Sequence, residues 1–311
     1  MVGRSHWVGV ALLAVAASAV PVMAQDGLLR VASWNVLNRP NDATDLADLE
    51  TILTHAATVS PTAAGARPWD ILALLETDTA SLAATTNAFN GLFGGGYRGI
   101  SAAADNGGDR TGFIYDDDAV ELLSFDVLGD PLTHNIGRAQ FRLRDAVGDN
   151  TLFAYAVHLK SGATASDLAS RGAEAAILAT DARSLPAGSN VLFGGDFNWL
   201  GGSEAAYGVL DDISYDPIGY AASYRDNDAF RRWHTQDPGG AVDDRFDAHL
   251  LSSSLIDGLG LDYLADSYTV LGNDGSHLLN GSILSGTGAD GGPRRAGIVQ
   301  RPPAGGDRLP L

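Results

Sequence analysis

Asp196 and Asn198 stand two residues apart, directly after the apolar run Val191-Leu192-Phe193 and the pair Gly194-Gly195. Packing accounts for the run and the glycines, but not for a carboxylate and a carboxamide placed where a buried strand emerges. Other polar residues close apolar runs in the same way: Asn35 in VASWNVLN, Glu76 in ILALLETD and His158 in FAYAVHLKSG. Each has a structural alternative. Asn35 suits a turn, and Glu76 suits the cap of a helix starting near Thr77. His158 suits a hydrogen-bonded core histidine, and Asp196 with Asn198 suits an Asx turn. Taken together, the types suit chemistry better. A carboxylate with an amide oxygen is what a hard cation such as Mg2+ or Mn2+ accepts, with waters completing the octahedron. A carboxylate beside that ion can orient and deprotonate a water. A histidine and an amide nitrogen can then hold phosphoryl oxygens as negative charge develops on them. Acyl transfer from a G-x-S-x-G serine and zinc chemistry from H-E-x-x-H lack their motifs in this chain.

The elements that must carry these residues are short β-type runs alternating with Ala-rich helical stretches. Leu28–Leu37 reads as a strand with Leu29, Val31 and Ser33 on one face and Arg30, Ala32 and Trp34 on the other. Asp45–Val59 carries helix-spaced Leu46, Leu49 and Leu53. Thr79–Phe93 is helical and stops at Gly94-Gly95-Gly96, and Ala165–Leu185 is the clearest amphipathic helix. Between them lie DRTGFIYDDD, VELLSFDVL, AQFRLRDAV and NTLFAYAVHLKSG, a row of strands, with NVLFGGDFN and RFDAHLLSSSL following as further strands. In α/β proteins functional groups gather where such strands run out, because a rigid sheet fixes their geometry.

The chain has 311 residues, 45% of them hydrophobic, enough for a substantial core. Residues 1–24 read as a signal peptide: Arg4 gives the positive start, Trp7 to Val20 the apolar stretch, and Val22-Met23-Ala24 the cleavage pattern. A secreted or periplasmic location follows, and no later segment is long and apolar enough to span a membrane. Residues 25–311 read as a single domain, of which 286–311 is an irregular end rich in Gly, Pro and Arg. Cysteine is absent, so stability comes from packing rather than disulfides. The net charge of −18 excludes a general electrostatic grip on nucleic acid, although a bound cation leaves a nucleic-acid substrate open.

In this order, WNVLN, LLETD, AVHLKSG, FGGDFN and DDRFDAHLLSSSL resemble the endonuclease/exonuclease/phosphatase superfamily, which has the DNase I-like fold. The resemblance runs from about Leu28 to Ile283 and is closest to exported bacterial members. It implies an α/β fold, a four-layer sandwich of two packed mixed β-sheets flanked by helices. It implies further that Asn35 and Glu76 lie at the metal, and that His158 contacts the scissile phosphate. Asp196 with Asn198 would handle the attacking water and a phosphoryl oxygen, and Asp247 would be a buried acid that orients a second histidine. Asp307 occupies the place of the aspartate in the family's closing SDH.PV strand, where it helps at the metal, but Arg308 stands where histidine is expected. Arginine stays protonated near neutral pH and cannot act as a base. The site is then impaired, or His277 or His249 substitutes, or the C-terminal end is altered. Leu37 replaces the acid that the apurinic-endonuclease branch carries two places after the asparagine, which disfavours that activity. Lys160, Arg138 and Arg110 are candidate phosphate contacts, each with a solvated-surface alternative. The expected function is an exported Mg2+-dependent phosphodiester hydrolase acting on DNA or RNA, with a phospholipid or sugar-phosphate diesterase next. A catalytically impaired surface binding module is the alternative that Arg308 favours.

Overall fold

Alternation along the strands decides which side chains meet. The computed structural model describes residues 28–58, 69–129, 132–144, 150–235 and 241–286. The expected signal segment lies outside the described residues, and so do Asp307 and Arg308. One sheet contains β1 (Val31–Asn35), β2 (Ile71–Thr77), β3 (Tyr97–Ser101) and β4 (Arg110–Asp116) in the order β1-β2-β4-β3. The other contains β5 (Val120–Leu128), β6 (Ile136–Leu143), β7 (Thr151–His158), β8 (Val191–Asp196) and β9 (Asp247–Leu251), adjacent in that order. Both sheets are mixed: β1/β2 and β7/β8 are parallel, and the remaining pairs are antiparallel.

On β2, Ile71, Ala73 and Leu75 turn toward Leu152, Ala154 and Ala156 of β7, with Phe113 and Phe141 filling the space between the sheets. Leu72 and Leu74 face the other way, onto Leu49 and Leu53 of α1 (Ala43–Thr58) and Phe89 of α2 (Thr79–Phe93). In the second sheet Phe153, Tyr155 and Val157 face outward onto Leu178 of α3 (Ala165–Ser184) and Leu210 of α4 (Ala205–Asp211). The result is the expected four-layer α/β sandwich. Each parallel pair needs a crossover connection, and α1 and α3 supply them. Leu53, Phe89 and Leu178 are fully buried, each contributing roughly 2–3 kcal/mol of apolar transfer.

Capping fixes the helix bounds. Asp78 caps α2 by accepting from Ser81 N at 2.7 Å, and Gly94 ends it with a left-handed φ of 100°. Glu76 is therefore not the cap, which corrects that alternative. Thr164 and Asp167 form a capping box on α3. From α3, buried Arg171 donates to the carbonyls of Lys160 and Gly162 while its guanidinium pairs with buried Glu204 at 2.8 Å. Glu174 accepts from Lys160 N at 2.7 Å. These bonds pin the loop that leaves β7 directly after His158.

Candidate active site

Because β7 and β8 run parallel, their ends lie side by side: His158 is in register with Asp196. Antiparallel β9 begins opposite them, with Asp247 in register with Asp196. Alternation puts His158, Asp196 and Asp247 on the inter-sheet face, in line with Ala154, Leu192 and Leu251. On the facing sheet Asn35 ends β1, on the same side as Val31. Glu76 breaks the alternation, since its parity matches the helix-facing Leu72 and Leu74. Between Leu74 and Thr77, β2 carries one more residue than β4, and Glu76 sits at φ 46°. This bulge re-aims the carboxylate into the cleft. A positive φ at a glutamate carries a strain on the order of 1–3 kcal/mol, the kind that clusters at functional sites.

The side chains converge. Asn35 Nδ2 donates to Glu76 Oε1 at 2.8 Å and to Asp196 Oδ2 at 3.3 Å. His158 Nε2 is 3.6 Å from Glu76 Oε1. Glu76, His158 and Asp196 each offer a ligand atom within 4.8 Å of the other two. All but Glu76 are nearly inaccessible, with Asn35 at 0%, Asp196 at 1% and His158 at 2% exposure. Two carboxylates gathered at this depth repel each other, and a hard divalent cation is the partner such a set of oxygens fits. The amide of Asn35 turns its nitrogen to the carboxylates, while its oxygen accepts from Leu37 N at 3.2 Å.

Asp196 Oδ1 accepts from Asn198 N at 2.9 Å, and Asn198 has φ 56°. The Asx turn is thus present, and it serves the site by fixing the carboxylate. Asn198 Nδ2 donates to Leu159 O at 2.8 Å, and its buried Oδ1 has no hydrogen-bond partner among the described residues. The glycine before Asp196 is explained as well. Gly195 has φ 149°, and a Cβ there would lie 2.0 Å from Val157 O. A side chain would push β8 off β7 at the point where the functional residues are set.

Other expected residues stand apart. Arg138 lies on the outer face of β6, where Asp181 of α3 accepts from it at 2.8 and 2.7 Å and Asp126 at 2.8 Å. Its expected role as a substrate contact is corrected: it ties the sheet to α3. His277 is fully buried with Nε2 3.3 Å from Val242 O, and burial lowers its pKa. It is packed inside rather than turned to a substrate, which corrects that expectation too. Lys160 Nζ donates to Ser161 O at 2.7 Å and lies 3.3 Å from Asp167 Oδ1. Arg110 donates to Ala102 O at 2.7 Å. His249 spans the sheets to Ser33 Oγ at 3.0 Å, and burial, reinforced by the Arg245 charge, lowers its pKa to about 4. So weak a base is a poor substitute for a second histidine. Asp247 is buried, and its backbone N donates to Thr235 Oγ1 at 3.2 Å. A cavity of about 450 Å³ lies beside the site, bounded by Trp34, Leu251 and Tyr268 and reaching Asp247.

The structure adds residues that sequence reasoning passed over. The His134 ring stacks on His158 with centroids 3.8 Å apart and planes 4° from parallel. Its Nδ1 is 2.6 Å from Asp105 Oδ2. Asp109 accepts from Asn38 Nδ2 at 2.7 Å, and Asp105, Asp109 and His134 form a second group whose ligand atoms lie within 4.8 Å of one another. The D-N-G-G-D run from Asp105 to Asp109 was the signal for them, and by itself it spells only a turn.

No curated protein matches the sequence. Among solved structures the chain is similar to a humanized D. rerio TDP2, with 19% identity, a TM-score of 0.51, and 72% of this chain and 83% of that one covered. It is similar to the mannosyl-6-phosphatase of Bacteroides thetaiotaomicron, with 17% identity, a TM-score of 0.51, and 72% and 85% covered. An endonuclease/exonuclease/phosphatase from Bacteroides vulgatus gives 14% identity and a TM-score of 0.51, with 72% and 87% covered. At these identities the likeness is one of fold. The model of the endonuclease/exonuclease/phosphatase family matches residues 32–253, which run from the second residue of β1 through β9 and hold every converging side chain. The chain belongs to the endonuclease/exonuclease/phosphatase family.

Proposed function

We propose that the protein is a divalent-cation-dependent phosphodiester hydrolase, with a nucleic acid as the first substrate class to test. The observation that carries this reading is the meeting of Glu76, Asp196 and His158 around Asn35, from two sheets, at one edge of the sandwich. Family membership supports it, since endonucleases, exonucleases and phosphatases all cleave phosphoesters. Glu76 and Asp196 are the residues that would hold Mg2+ or Mn2+. Such an ion supplies the positive charge that a phosphoryl group needs as it gains negative charge in the transition state. Asp196, fixed through Oδ1 by Asn198 N, orients the attacking water with its other oxygen and accepts its proton. His158, whose Nε2 lies 3.6 Å from Glu76 Oε1, donates a hydrogen bond to a phosphoryl oxygen. Burial excludes bulk water, which strengthens each of these interactions. With a net charge of −18, the chain relies on this local charge rather than on a basic surface to receive a polyanion.

The direct test incubates the purified protein with plasmid DNA and with bis-(p-nitrophenyl) phosphate, in Mg2+ and in EDTA. Cleavage that requires the cation and is abolished by Asp196→Ala is the expected result. Failure of the native chain to turn over either substrate in Mg2+ or Mn2+ removes the reading. We propose also that the chain is exported. Protein recovered outside the cytoplasm should begin at Gln25, and an intact Met1 on that material would contradict export.

A further inference from the structure

His158 has its ring edge toward Glu76 and one ring face against His134. Parallel imidazoles 3.8 Å apart and inclined by 4° are in full van der Waals contact, so neither ring can turn about its Cβ–Cγ bond without displacing the other. His134 is itself held. Its Nδ1 is 2.6 Å from Asp105 Oδ2, and Asp105 is anchored in turn, because its Oδ1 accepts from Gly107 N at 2.7 Å and from Asp109 N at 3.1 Å. The chain of contacts runs from the loop between β3 and β4, through Asp105 and His134, to the ring at the end of β7. His134 sits in the segment before β6, so elements outside the parallel core fix the one ring that must aim at a phosphoryl oxygen. Asp105 is 5% exposed and His134 17%, which makes this a supported side-chain stack rather than a chance surface contact.

We infer that His134 is a positioning residue: held by Asp105, it sets the ring plane of His158 and so the direction in which Nε2 meets the substrate. The inference rests on the proposed role of His158, and it adds a residue to which that proposal gave no part. Catalytic groups must be held within a fraction of an ångström, and a shift of about 1 Å can cost on the order of 100-fold in rate. Because His134 acts through His158 and not on the substrate, its loss lowers kcat and leaves KM nearly unchanged. The stack needs a flat ring, whereas the Asp105 bond needs a nitrogen. His134→Phe keeps the first and gives up the second.

The experiment compares native protein, His134→Ala, His134→Phe and Asp105→Ala on bis-(p-nitrophenyl) phosphate in Mg2+, with the ring resonances of His158 followed by NMR. The alanine variant at position 134 should lose between about 10- and 100-fold in kcat, with KM within about twofold. His134→Phe should recover most of that loss, and Asp105→Ala should fall between. In the native protein His158 should give one sharp set of ring signals, which broaden or split in His134→Ala. Native kcat in His134→Ala overturns the inference. So does a phenylalanine variant no better than the alanine one, which would mean that His134 acts through a nitrogen. If the native protein hydrolyses no phosphoester, the functional proposal fails by itself and the NMR comparison still decides this one: unchanged His158 signals in His134→Ala overturn it.

Discussion

Replacing Asp196 by asparagine should make the cation-free protein more stable while destroying its activity. Glu76 and Asp196 present oxygens no more than 4.8 Å apart in a site that water scarcely reaches. At an effective dielectric constant of about 20, two unit negative charges at that separation repel by about 3 kcal/mol. Asparagine removes the charge and keeps an oxygen for the 2.9 Å bond from Asn198 N. It sacrifices the 3.3 Å bond from Asn35 Nδ2, at a cost of about 1 kcal/mol. The balance is a gain of about 2 kcal/mol, which in a domain of this size raises Tm by about 4–8 °C in EDTA. With Mg2+ at about 100 times its Kd, the native protein gains about 2.7 kcal/mol by linkage and the variant almost nothing, so the order of the two melting temperatures closes or reverses. Turnover should fall by about 10²- to 10⁴-fold, because asparagine cannot take a proton from water. Differential scanning calorimetry of both proteins, in EDTA and in Mg2+, reads the stability terms. A variant less stable than native in EDTA, or one that keeps the Mg2+-induced rise, would refute the idea that these carboxylates are gathered for a cation.

Gly195→Ala should be among the most damaging single substitutions, costing more than about 4 kcal/mol, since its Cβ would lie 2.0 Å from Val157 O at a backbone angle alanine rarely adopts. Soluble, native-like expression of that variant would contradict the strand geometry at the site. Arg138→Gln should leave kcat within about twofold while lowering stability by about 1–3 kcal/mol, as Asp181 and Asp126 lose their cationic partner; a tenfold loss of kcat would restore Arg138 to the substrate side. His249 has a folded pKa near 4 against 6.5 for a free histidine, so the unfolded chain binds the proton first as pH falls. The stability tied to the neutral ring is complete above pH 6.5 and is lost as pH drops toward 4, by up to about 3 kcal/mol. Urea titrations across that window should show a shallower pH slope in His249→Gln, and an unchanged slope would show that the ring does not titrate as described.

The sandwich and most of its site were legible because strands announce themselves by period and a strand's end is visible in the sequence. Asn35, His158 and Asp196 end runs whose inward faces can be counted, and α2 and α3 run close to the spans their periodicity and caps predict. Glu76 was legible by type but not by direction. Alternation aims it at the helices, and only the extra residue in β2 and the positive φ turn it inward. Arg138 shows the converse: an arginine on β6 looks equally suited to either face until Ala139 and Phe141 are seen to take the inner one. β3 was missed because YRGIS follows three glycines and has no alternation to read, and α4 because AAYGVLD spans barely two turns. His134 and Asp105 were invisible for a deeper reason. They are loop residues separated by 29 positions, and what joins them to the site is a ring stack, which leaves no period in a sequence.

A crystal soaked in Mn2+ and measured at the manganese absorption edge would test the cation site itself. The anomalous peak should lie within about 2.0–2.4 Å of oxygens from both Glu76 and Asp196, at the shared edge of the two sheets. A peak held by Asp105, Asp109 and His134 instead, or no peak at all at millimolar Mn2+, would contradict the proposal that the strand-end carboxylates form the cation site of a phosphoester hydrolase.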